Sequence, residues 1–365
     1  MTSAGALLNI DLSAVRENYR RLCAKASGAK VAAVVKSDAY GLGADKVATQ
    51  LLQDKCDTFF VAHLSEAIKL RAALGPSPEI LVLNGIPEGY AADFTASNLT
   101  PVINSLSDLE QWQSLSRKLE KPLGAALQVD SGMSRLGLCA KDVQKIQNSP
   151  DMLDGVDISL VMSHLACAGD PSHPSNAEQR QAFETLSDML PAAKRSLANS
   201  SGIFLDNQLH YDLVRPGAAL YGINPISYTE NPMLPVVQLQ ARVLEIREIP
   251  AGAHVGYDYL YKASNPRRLA TLSIGYADGW HRQWTVGASY NGISLPLVGR
   301  ISMDSMVIDI TDLPEAQLSR NMFVDLINKT QTLDIVANAA QTIGYEVLTS
   351  IGERVERRYN NLTGT

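Results

Sequence analysis

Lys36 closes the apolar run Val31-Ala32-Ala33-Val34-Val35 and is followed at once by Ser37-Asp38-Ala39-Tyr40-Gly41-Leu42-Gly43. A short run rich in β-branched residues reads as a buried strand of a parallel sheet. An ammonium at the mouth of such a strand loses water. Its pKa should fall, and its amine becomes available as a base or nucleophile. Most lysines after strands instead lay their stem on apolar surface and keep the charge wet. Gly41, Gly43 and the motifs downstream reverse those odds.

The elements that must carry this lysine alternate from about residue 30 to residue 222. Strand-like runs cover Val31–Val35, Thr58–Ala62, Ile80–Leu83, Pro101–Ile103, Ala125–Val129, Ile158–Met162 and Leu213–Val214, with a weaker signal around Leu197. Helical spacing lies between them at Ala44–Leu52, Ser65–Leu74, Leu106–Leu119 and Asn176–Leu190. Ser107 before Glu110 has the spacing of a capping box. Near eightfold strand–helix alternation predicts an α/β chain forming a (β/α)8 TIM-like barrel over residues 13–232, although a doubly wound sheet alternates too. In such a barrel chemistry collects at the C-terminal strand ends. After Tyr228-Thr229-Glu230-Asn231-Pro232 the texture changes to short strands among Gly, Pro and Asn turns: Gln238–Glu248, Arg268–Ile274, Ile293–Val298 and Ser305–Ile310. That predicts a mostly antiparallel β domain over 233–365. The early strand at residues 7–12 could pair with it.

Composition sets the outer limits. The chain has 365 residues, too many for one ordinary core. A net charge of -6 gives no electrostatic footprint for nucleic acid. Cys23, Cys56, Cys139 and Cys167 lack disulfide or metal spacing, so the expectation is a reducing cytoplasm and no metal. No basic region precedes an apolar stretch at the start, and no apolar run has bilayer length, so neither a signal peptide nor a membrane partner is expected.

Val34-Val35-Lys36-Ser37-Asp38-Ala39-Tyr40-Gly41-Leu42-Gly43 resembles the cofactor-lysine motif of the alanine racemases, pyridoxal-phosphate enzymes of fold type III. The resemblance continues through Val129-Asp130-Ser131-Gly132-Met133-Ser134-Arg135-Leu136-Gly137, Met162-Ser163-His164-Leu165-Ala166, Ala198-Asn199-Ser200-Ser201 and Val214-Arg215-Pro216-Gly217-Ala218-Ala219-Leu220-Tyr221-Gly222. In the second domain it takes in Val255-Gly256-Tyr257, Ile274-Gly275-Tyr276-Ala277-Asp278-Gly279 and Gly299-Arg300-Ile301-Ser302-Met303-Asp304. Each motif is short; in this order and spacing they are specific.

The resemblance implies pyridoxal 5'-phosphate held by Lys36 as a Schiff base, and interconversion of L- and D-alanine by two bases. Lys36 would serve one face and Tyr257, from the partner subunit of a homodimer, the other. A free tyrosine, with a pKa near ~10, needs positive charge or hydrogen-bond donors to act as a base. His164 and Arg215 resemble the residues that supply these. Arg215 would also face the pyridine nitrogen, and a guanidinium cannot accept that proton. Tyr40, Ser200 and the amides of Gly217 and Ala218 match the phosphate set, and Asn199 stands beside them. Arg135 would orient the substrate carboxylate, with the Met303 backbone as a further donor. Tyr257, Tyr276, Arg282, Arg300 and Asp304 resemble the residues lining the access path. The resemblance thus makes the barrel the cofactor domain and the β domain the source of the second base. It leaves open whether the product supplies the cell wall or is consumed.

Three departures stand out. Many members carry a carbamylated lysine where this chain has Gln128, seven residues before Arg135. An amide oxygen accepts a hydrogen bond but supplies no charge, so the expectation is that Gln128 holds Arg135 without a carbamate. Glu353 stands where some members place a phosphate-binding tyrosine. The gate aspartate after His164 is displaced to Asp170, behind Gly169. Three other readings remain at this point. One is a broader racemase acting on serine or lysine. Another is a non-catalytic pyridoxal-phosphate-binding protein, which would lack the β domain and Tyr257. The last is a decarboxylase, which usually needs a glutamate where Arg215 stands.

Overall fold

The computed structural model describes residues 2–26, 28–226 and 229–360; Tyr228 of the inter-domain segment and the last five residues lie outside them. The chain divides into two compact units. One comprises residues 15–220 and 224–233, the other residues 1–14, 221–223 and 234–365.

In the first unit, parallel strands run in the order Ala33–Val34, Thr58–Val61, Glu79–Val82, Thr100–Ile103, Leu123–Gln128, Val156–Met162 and Lys194–Ser196. An eighth, Leu213–Val214, pairs with Lys30–Val31, the outer half of the first strand. The Asp212 N–H donates to the Arg195 carbonyl and the Arg215 N–H to that of Ala198, which closes the ring. Apolar runs suit this arrangement because the inner parts of the strands are covered on both faces. Val34, Phe60, Leu81, Val102, Ala126, Leu160, Met162 and Leu213 fill the interior, with Tyr40 and Leu83 packed against them. The helices Ala44–Leu52 and Leu106–Leu119 begin and end where their apolar spacing predicts.

The anticipated Ser107–Glu110 capping box is not formed. Ser105 is the cap and accepts the Asp108 N–H at 3.1 Å, which leaves Ser107 inside the helix. Asp108 also turns outward to the Asn104 and Ile86 amides, so the loop before the helix decided its start.

The second unit is a mostly antiparallel sheet around the long strand Val237–Ile249, flanked by Arg267–Leu272 and Phe323–Ile327. The early strand Ala6–Asp11 pairs antiparallel with that long strand and parallel with Glu356–Asn360. The predicted strand over 293–298 is broken at Pro296 into Ile293–Leu295 and Leu297–Val298, since proline cannot donate to a ladder. Two helices, Leu333–Ala339 and Gly344–Ser350, complete the unit. No helix among the described residues is long and apolar enough to cross a membrane.

Candidate active site

At the end of the first barrel strand the chain does something unusual. Ser37, Asp38, Ala39 and Tyr40 all have φ between 53° and 59°, a full left-handed turn of L-residues. Such a conformation costs about 1–2 kcal/mol per residue. Gly41 and Gly43, at φ 83° and 88°, lead the chain back out of it. Several bonds hold the turn. The Asp38 carboxylate accepts the Ala44 N–H at 2.8 Å, and its carbonyl accepts the Gly43 N–H at 2.9 Å. A carboxylate unanticipated from sequence meets it from beyond the next strand: Glu66 accepts the Ser37 N–H at 2.6 Å. The only sequence signal for Glu66 is its place in the first turn of the helix Leu64–Leu74, and that says nothing of Lys36.

The turn presents Lys36 at the barrel mouth, half-buried. Burial lowers its pKa first and the positive charge of Arg135 second, with the Glu66 carboxylate opposing both. Arg215, on the eighth strand, is fully enclosed. Its guanidinium donates to the Ser196 hydroxyl and to the Ser163 and Leu197 carbonyls. Burial pushes its pKa down to about 9, which leaves it charged at neutral pH. His164, at the end of Val156–Met162, is pushed down to about 3 by burial and by Arg215, Arg135 and Lys36 in turn. It is therefore neutral under ordinary conditions and supplies a donor rather than a charge. Its carbonyl accepts from Gln179 at 3.0 Å, which fixes the backbone there.

Ser200 opens the short helix Ser200–Leu205, capped by the Asn199 side chain on the Gly202 N–H at 3.0 Å. The Ser200 hydroxyl accepts the Gly217 and Ala219 amides at 3.0 and 3.2 Å, leaving its own proton free to donate. A Cβ at Gly217 would lie 2.4 Å from Tyr40 Oη, so a side chain there would have to push the phenol aside. The Ala218 N–H, next in line, has no hydrogen-bond partner among the described residues.

No hydrogen bond joins Gln128 to Arg135 among the described residues. The Gln128 side-chain NH2 donates to the Leu136 carbonyl at 3.2 Å, and its backbone carbonyl accepts the Leu138 N–H at 2.8 Å. The segment 130–138 doubles back on the strand end. Gly137, at φ 112°, makes that possible, since a Cβ would meet the Val129 backbone at 2.8 Å. The side-chain NH2 is thus taken up by its own loop, and Arg135 is left exposed. Asp170 likewise serves its loop, accepting from the Ser172 amide and hydroxyl at 2.9 and 2.7 Å.

The remaining predicted residues lie in the β unit. Tyr257 is 63% exposed. It starts a tight turn in which Gly256, Asp258 and Tyr259 all have positive φ. Arg282 stands 6.0 Å from its ring centre, and Asp258 pairs with Arg282 and Arg300 at 3.8 and 3.7 Å. Tyr276 is bound through its amide to the Ser302 carbonyl, and Ala277 to that of Met303. Asp304 is paired with Arg354 at 2.7 Å, and Arg354 reaches Asp278 at 3.0 Å. Glu353 is exposed. The structure therefore gathers Lys36, Tyr40, Gln128, Arg135, His164, Asn199, Ser200, Arg215, Gly217 and Ala218 in one unit. Tyr257, Tyr276, Met303 and Asp304 belong to the other.

Comparison with known proteins matches both units. Residues 10–225 fit the alanine racemase N-terminal domain, and residues 236–359 the alanine racemase C-terminal domain. A catabolic alanine racemase of Mesorhizobium japonicum is 52% identical over 98% of this chain and 94% of that protein. A second, from Agrobacterium fabrum, is 46% identical over 98% and 92%. The crystal structure of alanine racemase from Bartonella henselae, with covalently bound pyridoxal phosphate, superposes with a TM-score of 0.94 at 44% identity, covering 98% of this chain and all of that one. Lysine turn, buried arginine, the Ser200–Gly217 bond and the β unit occur together in a chain matched along its length, and the chain belongs to the alanine racemase family.

Proposed function

We propose that this enzyme is a pyridoxal-phosphate-dependent alanine racemase, interconverting L- and D-alanine as a homodimer with shared sites. The observation that carries the reading is the cradle beside Lys36. The Ser200 hydroxyl proton, the unpartnered Ala218 amide and the Gly217 backbone, where a Cβ would strike Tyr40, fit a phosphate dianion. Tyr40 would add its hydroxyl, and Lys36 would hold the aldehyde carbon. When bound, the group supplies an electron sink that makes the Cα proton of a held amino acid removable.

Each residue then has a definite task. Arg135, exposed and without a hydrogen-bond partner among the described residues, can take the substrate carboxylate in charge-assisted hydrogen bonds. The Met303 amide adds a donor. Lys36, its pKa lowered, would be freed when the substrate amine takes its place, and its Nζ would then exchange a proton with one face of Cα. Tyr257 of the partner subunit does so from the other face at Oη. His164 is neutral and lends a donor to that phenol. Arg215, its protons already shared among protein acceptors, can give a hydrogen bond to the ring nitrogen but cannot accept its proton. The nitrogen thus stays unprotonated and negative charge at Cα stays short-lived, which favours return of the proton to Cα.

Mixing two inactive variants tests both the reaction and the sharing. Lys36→Ala and Tyr257→Phe should each fail to racemise L-alanine. Unfolded and refolded together, they should recover about a quarter of wild-type polarimetric activity, because half the dimers are mixed and each has one complete site. No recovery would remove the shared site, and no turnover by the wild type on either enantiomer would remove the racemase reading.

A further inference from the structure

We propose that Glu66 is a positioning residue for Lys36: one carboxylate fastens the amide after the lysine to the end of the neighbouring barrel strand and so holds the left-handed turn that aims the amine. Resting on the racemase reading for the importance of Lys36, the inference stands on its own geometry.

Glu66 Oε1 accepts the Ser37 N–H at 2.6 Å. Oε2 accepts the Ala62 and His63 amides at 2.8 and 2.9 Å. Capping the helix Leu64–Leu74 from its third position needs only one oxygen, and here Oε2 provides it. The second oxygen crosses to another strand. Short charge-assisted bonds from both oxygens make one carboxylate a clamp between two strand ends. Its grip falls on the first of the four left-handed residues, immediately after Lys36. Asp38 and Gly43 secure the far end of that turn, so without Glu66 the near end is held by the Ala39 N–H on the Val35 carbonyl.

The clamp also carries charge. The groups acting on the Lys36 amine are Arg135, which opposes protonation, and Glu66, which favours it. His164, itself acted on by Lys36, is neutral, and Asp38 is turned to the Ala44 amide. Glu66 is thus the carboxylate that keeps the pKa of the amine from falling as far as burial and Arg135 alone would drive it.

The test uses the full-length protein. The Lys36 amine is titrated by pH-dependent reductive methylation of cofactor-free chain with peptide mass spectrometry, and turnover is measured on the pyridoxal-phosphate-loaded enzyme. Glu66→Gln keeps one acceptor for the cap but cannot serve both strand ends and has no charge. It should lower the Lys36 pKa by about half a unit or more. It should also lower kcat about tenfold, with KM for alanine changed less than twofold. Glu66→Asp keeps the charge but is too short for the span. It should titrate near wild type and still lose kcat, and it carries the test if Glu66→Gln does not fold. An unchanged Lys36 titration in Glu66→Gln, or full kcat in Glu66→Asp, would overturn the proposal. A fall in melting temperature alone would mean that Glu66 is only a helix cap. Because the titration needs no turnover, its outcome bears on the clamp even if the racemase reading fails.

Discussion

At the barrel mouth Arg215 is 4% exposed and tied to three oxygens of its own unit. In the β unit Tyr257 is 63% exposed, on a turn where its neighbours Gly256, Asp258 and Tyr259 all have positive φ. Both are residues on which the proposed chemistry depends. The first region prepares its groups by burial: it strips water from Lys36, His164 and Arg215 and lets their charges act on one another. The second holds a phenol out on a short turn, steadied from the side by Arg282 and Asp258. The proposed site would thus have a part that the fold tunes in advance and a part that contact must complete. The division predicts different failures on the two sides.

The largest effect is expected on the tuned side. Lys36→Ala should lower turnover by about four orders of magnitude or more, because it removes a base and the covalent anchor together. Its absorbance should lack the Schiff-base band. Tyr257→Phe should keep that band and lose about 10²–10⁴ in kcat, the usual worth of a general base. If Tyr257→Phe instead lost the band, the two regions would not be separable as described.

A smaller effect should follow from Gly217→Ala. Its methyl group must displace the Tyr40 hydroxyl, and overpacking of this kind costs about 1–3 kcal/mol. Pyridoxal phosphate affinity, measured by equilibrium dialysis, should weaken by about 10–100-fold with kcat at saturation nearly kept. An equal loss of kcat would mean that the cradle aims the group as well as binding it.

His164 sharpens the comparison through pH. Its folded-state pKa, near 3, lies below its ordinary value of 6.5. Between those values the unfolded chain binds the extra proton, so acid favours unfolding. The stability of cofactor-free protein should be level above pH 6.5 and fall below it by at most about 1.4 kcal/mol per unit. Urea midpoints from pH 7 to pH 5 would show the slope, and His164→Gln should flatten it. The smallest effect is reserved for Arg282→Ala. An exposed cation–π contact is worth about 0.5–1 kcal/mol, so kcat/KM should drop only a few-fold.

Much of this could be read from the sequence, for reasons that differ by element. Thr58–Val61 and the inner end of Val156–Met162 are legible because a strand segment covered on both faces must be apolar. Glu356–Asn360 is not: Glu-Arg-Arg-Tyr-Asn has no strand pattern and becomes a strand only by pairing with Ala6–Asp11. The helices Leu333–Ala339 and Gly344–Ser350 are two turns each, too short for their spacing to stand out among strands. In the site, residue types were legible and partnerships were not. Gln128 could be seen as a departure, yet the bond its NH2 gives the Leu136 carbonyl depends on a loop that doubles back at Gly137. Glu66 was invisible because nothing local distinguishes a helix cap from a clamp between strands.

The left-handed turn at residues 37–40 has one more consequence. Four L-residues will not hold that shape in an isolated segment, and its bonds run to Ala44 on one side and to Glu66 on the other. The lysine therefore cannot be aimed until the second strand has docked beside the first and the following helix has begun. During folding, a nascent chain would offer the cofactor an ordinary solvated amine; a mature one offers a directed amine. Capture of pyridoxal phosphate thereby becomes a mark of assembly, set only when the opening of the barrel has been built.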